Sequence, residues 1–236
     1  MLPLLAMTAL ATNSSSLNLP AFSVIWNGPS AGCVSSANLT IADFGVQVNP
    51  KQAFNGSVIS LLYSFGSMPK LEAALNATPC WTGKKPCSWN PWGEISPATN
   101  GGVPQKANLS DHVNKLKQDL ADKVSDPASK AVLILDWEAW RPLASENDDS
   151  LSCYNVYSER LVRAEPAWAG KNDTEVKVEA GKRFDAGARA LFSATVKTIR
   201  DLRPSLRIGF YSQGIDQGMH GMDENHVSGL ERHRLV

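Results

Sequence analysis

Short, uninterrupted apolar runs constrain the fold of this chain more than any other feature of its sequence. Four such runs lie at residues 22–26, 58–63, 131–135 and 207–211. Runs of this length, bounded by turn residues, are typical of strands that are buried on both faces. Strands of that kind occur in parallel sheets that helices cover. The sequence therefore predicts an α/β fold built on a parallel sheet.

The segments between these runs predict helices and one long loop. Apolar residues recur at helical spacing over residues 110–124, where Ser110 is the expected N-cap. Residues 151–164 and 174–202 are also predicted to be helical. Residues 81–102 are rich in Trp, Pro, Gly and Asn, a composition that predicts a loop.

Polar or aromatic side chains stand where three of the apolar runs end. They are Tyr63, then Asp136 with Glu138, then Tyr211. In parallel α/β sheets, active groups gather at the carboxyl ends of the strands, as they do in (β/α) barrels. Closing such a barrel takes about eight strands. The predicted fold is therefore a partial TIM-like (β/α) barrel whose C-terminal strands are missing.

Composition divides the chain into three regions. Residues 1–20 hold a signal-like segment and a linker, and residues 21–211 hold the predicted barrel portion. Residues 212–236 are rich in Gly and His and show neither helical nor strand periodicity. We interpret this last region as a divergent tail.

The charge balance excludes some classes of partner. Lys plus Arg and Asp plus Glu number 23 each, so the formal net charge is zero. Binding to nucleic acid depends largely on neutralising phosphates with basic residues, so we expect no nucleic-acid partner. No apolar run reaches the about 18 residues of a membrane-spanning helix, so we expect no transmembrane span.

Several features predict the secretory pathway, leading to secretion or to the lysosome. Residues 1–11 are apolar and end in small residues, as a secretion signal does, and a frayed N-terminus is the alternative. Four cysteines suit an oxidising compartment, and Cys80 and Cys87 are close enough in sequence for a local disulfide. Six N-x-S/T sequons predict a glycoprotein. Their asparagines are Asn13, Asn38, Asn55, Asn76, Asn108 and Asn172.

The sharpest chemical feature is D-W-E-A-W-R-P at residues 136–142. On an extended strand, Asp136 and Glu138 point to one side with their backbones about 7 Å apart. Like charges this close oppose joint ionisation, so the pKa of one carboxyl should rise, as a general acid requires. Trp137 and Trp140 would supply an apolar surface on which a sugar can stack. The alternative is a strand end held in an ion pair with Arg141.

Two carboxyls that approach from one side fit a particular kind of glycoside hydrolysis. Ordinary retaining and inverting enzymes hold their carboxyls on opposite faces of the sugar. Here the nucleophile must come from a carboxylate elsewhere in the chain or from the substrate itself. A 2-acetamido sugar can supply its amide oxygen, while Glu138 protonates the leaving oxygen and Asp136 stabilises the acetamide.

Several separate motifs occur in a fixed order along residues 22–211. They are W-N-x-P at 26–29 with Cys33, F-x-V-Q at 44–47 leading to Tyr63, N-G-G-V-P-Q at 100–105, L-D-W-E-x-W-R-P at 135–142, Arg183-Phe184, and G-F-Y at 209–211. Together they resemble the hyaluronidase family, glycoside hydrolase family 56. This ordered set is much more specific than the D-x-E pair alone.

The resemblance implies a secreted endo-β-N-acetylhexosaminidase whose substrate is the glycosaminoglycan hyaluronan, with chondroitin as a second candidate. Glu138 would be the acid/base and Asp136 its assistant. Tyr211 would bind the acetamide or the intermediate, and Tyr63 would line the substrate cleft; each has an alternative as a core or rim residue. Arg141 would contact the glucuronate or pair with a carboxylate. The resemblance implies no metal ion and no organic cofactor, and we expect a monomer.

The chain departs from the family pattern after Tyr211. Family members continue through further barrel strands, an aromatic-lined cleft and a cysteine that pairs with the one near the first strand. Residues 212–236 match none of these features, which would leave Cys33 unpaired or paired with Cys153. Two functions are therefore open: an active hydrolase, or a truncated, catalytically silent fragment that binds glycans or has no function.

Overall fold

The computed structural model of the chain describes residues 24–28, 30–32, 40–75 and 92–211. Its strands are β1 (Ile59–Leu62), β2 (Lys70–Leu75), β3 (Trp92–Thr99), β4 (Val132–Leu135) and β5 (Arg207–Phe210). Its longer helices are α1 (Leu109–Lys123), α2 (Ser152–Arg163) and α3 (Asp173–Leu202). The predicted signal-like segment, the divergent tail and three of the cysteines, Cys33, Cys80 and Cys87, lie outside the described residues.

A three-stranded parallel sheet in the order β1-β4-β5 forms the centre of the described fold. Leu62 of β1 pairs with Leu135 of β4, which pairs in turn with Phe210 of β5. The predicted strands at residues 58–63, 131–135 and 207–211 are confirmed, and so is the α/β class with a parallel sheet.

The first apolar run is not a strand of this sheet in its described part. Ile25 forms an isolated parallel bridge with Gln47. The Trp26 N–H donates to the Gln47 carbonyl and the Gln47 N–H donates to the Val24 carbonyl, both at 2.8 Å. The prediction of a buried strand is therefore wrong for residues 24–26, and Trp26 is exposed.

The predicted loop at residues 81–102 contains a strand. β3 pairs with β2 in an antiparallel two-stranded sheet. Its Pro97 pairs with Leu71 next to a register shift, an irregular position at which a strand accepts a residue without an N–H. Because β3 carries Gly, Ser and Pro beside its apolar residues, its composition predicts a loop although its backbone is extended. Residues 81–91 lie outside the described residues.

The helices lie where the periodicity predicts them, with one correction at a helix start. The side chain of Asn108, and not of Ser110, caps α1 by accepting the N–H groups of Ser110 and Asp111 at 2.9 and 3.3 Å. Asn172 caps α3 in a capping box with Glu175. No helix of the described residues is long and apolar enough to cross a membrane.

The helices pack mainly on one side of the central sheet. Leu133 and Leu135 of β4 are fully buried, whereas Val132 and Ile134, whose side chains point the other way, are only half-buried. Phe184 of α3 is also fully buried and belongs to the same core. At β4 the described residues therefore cover one face of the sheet more completely than the other, whereas all four residues of β1 are buried.

The N-G-G-V-P-Q segment connects the small sheet to the helices. Gly101 and Gly102 adopt φ values of 78° and 80°, which favour glycine. The Gln105 side chain donates to the Ser158 hydroxyl of α2 at 2.8 Å. An added Cβ at Gly187 of α3 would lie 2.5 Å from the Gln105 backbone nitrogen. This motif therefore serves the packing of the segment against α2 and α3.

Replacing Gly187 by Ala should destabilise the protein by about 1–3 kcal/mol, the usual cost of overpacking, because the clash is with backbone atoms that cannot rotate away. Urea unfolding followed by far-UV circular dichroism measures this difference. Gly181 is the matched control on the same helix, since a Cβ there would meet only the Ala144 Cβ at 3.7 Å. The Gly181→Ala change should stabilise by up to about 1 kcal/mol. Equal effects at the two positions would contradict this packing.

Candidate active site

A cavity of about 370 Å³ opens at the carboxyl ends of β1, β4 and β5. We call it the strand-end cavity. Its lining residues are Asn27, Phe54, Leu61, Tyr63, Asp136, Glu138 and Tyr211. The structure thus brings together the two predicted carboxylates and the two predicted tyrosines, which come from three separate parts of the sequence.

The ladder between the strands sets the positions of these side chains. Tyr63, Asp136 and Tyr211 each follow the last residue of a strand, and those last residues are paired with one another. The pairing continues one step further, because the Asp136 N–H donates to the Leu62 carbonyl at 2.9 Å and the Tyr211 N–H donates to the Leu135 carbonyl at 3.0 Å. The three side chains therefore emerge side by side at one edge of the sheet.

The two carboxylates lie in different environments. Asp136 is 5% exposed, and its Oδ1 is buried without a hydrogen-bond partner among the described residues. Glu138 is exposed and reaches into the cavity. Burial raises the pKa of Asp136 above its ordinary value, the negative charge of Glu138 raises it further, and the Arg141 charge opposes the rise. The expected rise in one pKa thus falls on Asp136, the carboxyl proposed as the assistant.

Arg141 forms no ion pair with a carboxylate of the described residues. Its backbone N–H donates to the Asn147 side chain at 2.8 Å, and the Asn147 amide donates back to the Arg141 carbonyl at 3.0 Å. Its Nη1 atom is buried and has no hydrogen-bond partner in the described part of the chain. The alternative of a salt-bridged strand end is therefore wrong here. Arg141 does not line the strand-end cavity, so its contact with substrate stays a prediction.

The two tryptophans of the motif lie in different environments, and the sugar contact predicted for Trp137 stays a prediction. Trp140 has no exposed area, donates its indole N–H to the Pro69 carbonyl at 2.7 Å, and meets Phe184 and Phe192 edge-on. It is a core residue, which corrects its predicted role in substrate binding. Trp137 is half-buried, packs edge-on against Trp140, and does not line the strand-end cavity.

Besides Leu61 of β1, two cavity residues were not predicted as site residues from the sequence. The Phe54 ring lies nearly parallel to the Tyr63 ring, with 6.4 Å between the centroids and 10° between the planes. Together they form an aromatic surface on the wall of the strand-end cavity. Asn27 is the second, and its only signal was its place in the W-N-x-P motif. Phe54 lies outside any strand, between the F-x-V-Q motif and Tyr63, and no residue pattern singled it out.

Metal binding finds no support in the geometry of the described residues. No three His, Cys, Asp or Glu side chains within them lie close enough together to hold an ion. Cys153 is buried and is a free thiol, and burial raises its pKa to about 11. A thiol with so high a pKa is neutral at physiological pH and is not a nucleophile.

Comparisons with known proteins confirm the family resemblance that the motifs indicate. A family model described as hyaluronidase matches residues 90–214. The chain is 31% identical over 196 residues to "Hyaluronidase Tab y 2.0101" of Tabanus yao, covering 81% of this chain and 50% of the relative. It is also 31% identical over 193 residues to Hyaluronidase-1 of Homo sapiens, covering 80% of this chain and 39% of that relative.

A solved structure resembles the fold. Bee venom hyaluronidase in complex with a hyaluronic acid tetramer aligns with a TM-score of 0.65 and 29% sequence identity, over 81% of this chain and 54% of that one. The chain spans about half the length of the relatives that it matches. The expectation of a partial barrel of this type agrees with that coverage.

Replacing Asp136 by Asn should raise the midpoint of thermal unfolding at pH 7. The pKa of Asp136 is higher in the folded protein than in the unfolded chain. The free energy of unfolding therefore falls as the pH rises from the unfolded to the folded pKa, and the full loss is present above the folded pKa. Below the unfolded pKa of about 4 the carboxyl is protonated in both states and the penalty is absent. The gain should therefore be largest near neutral pH and shrink toward pH 4.

Scanning calorimetry of the native chain and the Asp136→Asn variant across this pH range measures the difference. Asp122→Asn is a suitable control, because Asp122 is an exposed carboxylate of α1 far from the strand-end cavity in sequence. A gain that does not depend on pH, or a loss of stability at pH 7, would show that ionisation of Asp136 does not destabilise the folded protein.

Proposed function

This chain belongs to the hyaluronidase family, and on that premise we propose that it is an endo-β-N-acetylhexosaminidase that cleaves hyaluronan. Chondroitin is the second candidate substrate. One observation carries the proposal: Asp136 and Glu138 share the strand-end cavity with Tyr63 and Tyr211, although these residues are far apart in sequence. A cavity that holds two carboxylates of unequal environment has the groups that glycoside hydrolysis needs.

Glu138 is the proposed acid/base. It is the exposed member of the pair and lies on the cavity wall, so its proton can reach the oxygen of a bound glycosidic bond. No third carboxylate of the described residues lines the cavity. An opposing nucleophile from this part of the chain is therefore missing, which favours attack by the acetamide oxygen of the substrate on its own anomeric carbon. Glu138 then activates the water that opens the oxazolinium intermediate.

Asp136 is the proposed partner of the acetamide group. As the acetamide oxygen bonds to the anomeric carbon, its nitrogen becomes positively charged, and a buried carboxylate with an unpaired oxygen stabilises that charge more than a hydrated one would. Burial raises the pKa of Asp136, so its anionic form is costly in the free protein. The positive charge that develops on the acetamide nitrogen favours the anionic form of Asp136 beside it.

The aromatic residues of the cavity are proposed to position the sugar. Tyr211 follows β5 beside Asp136, where its hydroxyl can donate to the acetamide oxygen or to the intermediate. Tyr63 is 62% exposed and stacks with Phe54, so the pair offers a flat surface at the rim. Sugar rings pack their C–H faces on such surfaces. Proton transfer by carboxyls and attack by the amide require no metal ion and no organic cofactor.

The proposed environment is the secretory pathway, with the protein secreted or lysosomal, glycosylated and monomeric. The described sequon asparagines Asn55, Asn108 and Asn172 are all exposed. Each side-chain oxygen accepts a nearby backbone N–H, from Leu61 at 2.7 Å, Ser110 at 2.9 Å and Glu175 at 2.9 Å. These bonds use the amide oxygen and leave the amide nitrogen, the atom that carries an N-glycan, available. Cys153 is a free thiol, so the alternative in which it pairs with Cys33 is not formed. The local disulfide proposed for Cys80 and Cys87 lies outside the described residues.

Expression in a secreting eukaryotic host should give a protein whose mass falls on treatment with an enzyme that removes N-glycans. Peptide mass spectrometry should find glycan at Asn55, Asn108 and Asn172. Asn114 is a useful internal control, because it is exposed on α1 but is not part of a sequon. Unmodified asparagines at all three sequons in secreted material would refute this part of the proposal.

Replacing Glu138 by Gln should lower the rate of hyaluronan cleavage by about 10²–10⁴-fold, the usual contribution of a general acid. The amide keeps the shape of the side chain but has no proton to give. Purified proteins are compared at acidic and neutral pH by the release of reducing ends, with Glu72→Gln as control, since Glu72 is exposed on β2 and does not line the cavity. Equal turnover by the native chain and Glu138→Gln would rule out the proposed acid. Binding of hyaluronan without any turnover by the native chain would support the silent, glycan-binding alternative.

A further inference from the structure

Asn27 has a feature that the proposed chemistry does not use. Its side chain lines the strand-end cavity beside the two carboxylates. The Asn27 Oδ1 atom is buried and has no hydrogen-bond partner within the described part of the chain. A buried acceptor without a donor costs free energy, so native proteins usually pair such atoms or reserve them for a ligand.

The neighbours of Asn27 hold it in place before any ligand arrives. On one side, Trp26 is joined to Gln47 through its backbone and donates its indole N–H to the Ser30 hydroxyl at 3.0 Å. On the other side, the Gln52 side chain donates to the Ser30 carbonyl at 3.1 Å. A Cβ at Gly28 would lie 2.9 Å from the Trp26 ring, so a larger residue there would have to displace that ring. These contacts of the neighbouring residues therefore hold Asn27, and its unpaired oxygen, at the cavity wall.

We propose that the Asn27 side-chain oxygen accepts a hydrogen bond from a hydroxyl group of the sugar that occupies the strand-end cavity. This inference rests on the proposed function. A 2-acetamido sugar has a single N–H, and Asp136 is placed to take it. The remaining donors of the sugar are its hydroxyls, and a neutral amide oxygen accepts from a hydroxyl without adding charge beside two carboxylates.

The Asp136 carboxylate is charged and the Asn27 amide is neutral, so the two acceptors contribute to different steps. Asp136 gains interaction energy as positive charge develops, so its contribution is larger in the transition state than in the ground state. The hydroxyl bound by Asn27 keeps its charge through the reaction, so that bond has nearly the same strength in both states. Asn27 is therefore a binding residue whose loss should raise KM and leave kcat nearly unchanged.

The test is the Asn27→Leu variant of the full chain, in which a side chain of similar size lacks the acceptor. We expect KM for hyaluronan to rise about tenfold and kcat to stay within about twofold, the effect of one neutral hydrogen bond. We also expect the midpoint of thermal unfolding to stay equal or rise, because the variant removes a buried, unpaired acceptor. Asn114→Leu on the exposed surface of α1 is the control and should change neither constant.

A second measurement does not depend on turnover. Isothermal titration of a hyaluronan tetrasaccharide into Glu138→Gln, with and without Asn27→Leu, should show the same tenfold loss of affinity. Unchanged KM and affinity in the Asn27 variants would overturn this inference and leave the proposed function standing. A lower unfolding midpoint, or a fall in kcat at constant KM, would also overturn it, in favour of a structural or transition-state role. Failure of both the native chain and Glu138→Gln to bind hyaluronan would overturn the proposed function and this inference together.

Discussion

The parallel ladder that joins β1, β4 and β5 is the constraint on which the site depends. It pairs Leu62 with Leu135 and Leu135 with Phe210, so the residues that follow emerge at one edge in a common register. A shift of one residue in this register would turn Asp136 toward the opposite face of the sheet. The core beneath the paired strands, in which Leu133, Leu135 and Phe184 have no exposed area, therefore holds the residues at this edge in place through the backbone.

The difference between Asp136 and Glu138 arises from their surroundings and not from their chemistry. Both are carboxylates of one short segment, yet Asp136 is buried at the end of β4 and Glu138 is exposed two residues later. Burial raises the pKa of the first, and the charge of the second adds to that rise. Unequal environments of this kind allow one carboxyl to handle protons at the leaving group and the other to face a developing positive charge.

The family motifs combine residues of two kinds. Asp136 and Glu138 face the cavity, whereas Trp140, four residues after Asp136, binds the Pro69 carbonyl and fills the core. The N-G-G-V-P-Q segment packs against α2 and α3 through Gln105 and Gly187. A motif shared with a family of enzymes thus contains both cavity residues and core residues, and the sequence pattern does not separate the two.

The sequence by itself determined the α/β class, the three strands of the central sheet, the three longer helices and the meeting of Tyr63, Asp136, Glu138 and Tyr211. These follow from local periodicity and from the rule that parallel strands present their carboxyl ends at a common edge. Only the tertiary structure decided which carboxyl is buried, that Trp140 belongs to the core, that residues 92–99 pair as a strand, and that Asn27 and Phe54 reach the cavity. The physical reason is that burial and pairing depend on groups far away in sequence, such as the Pro69 carbonyl that receives the Trp140 indole or the Leu71 that opposes Pro97.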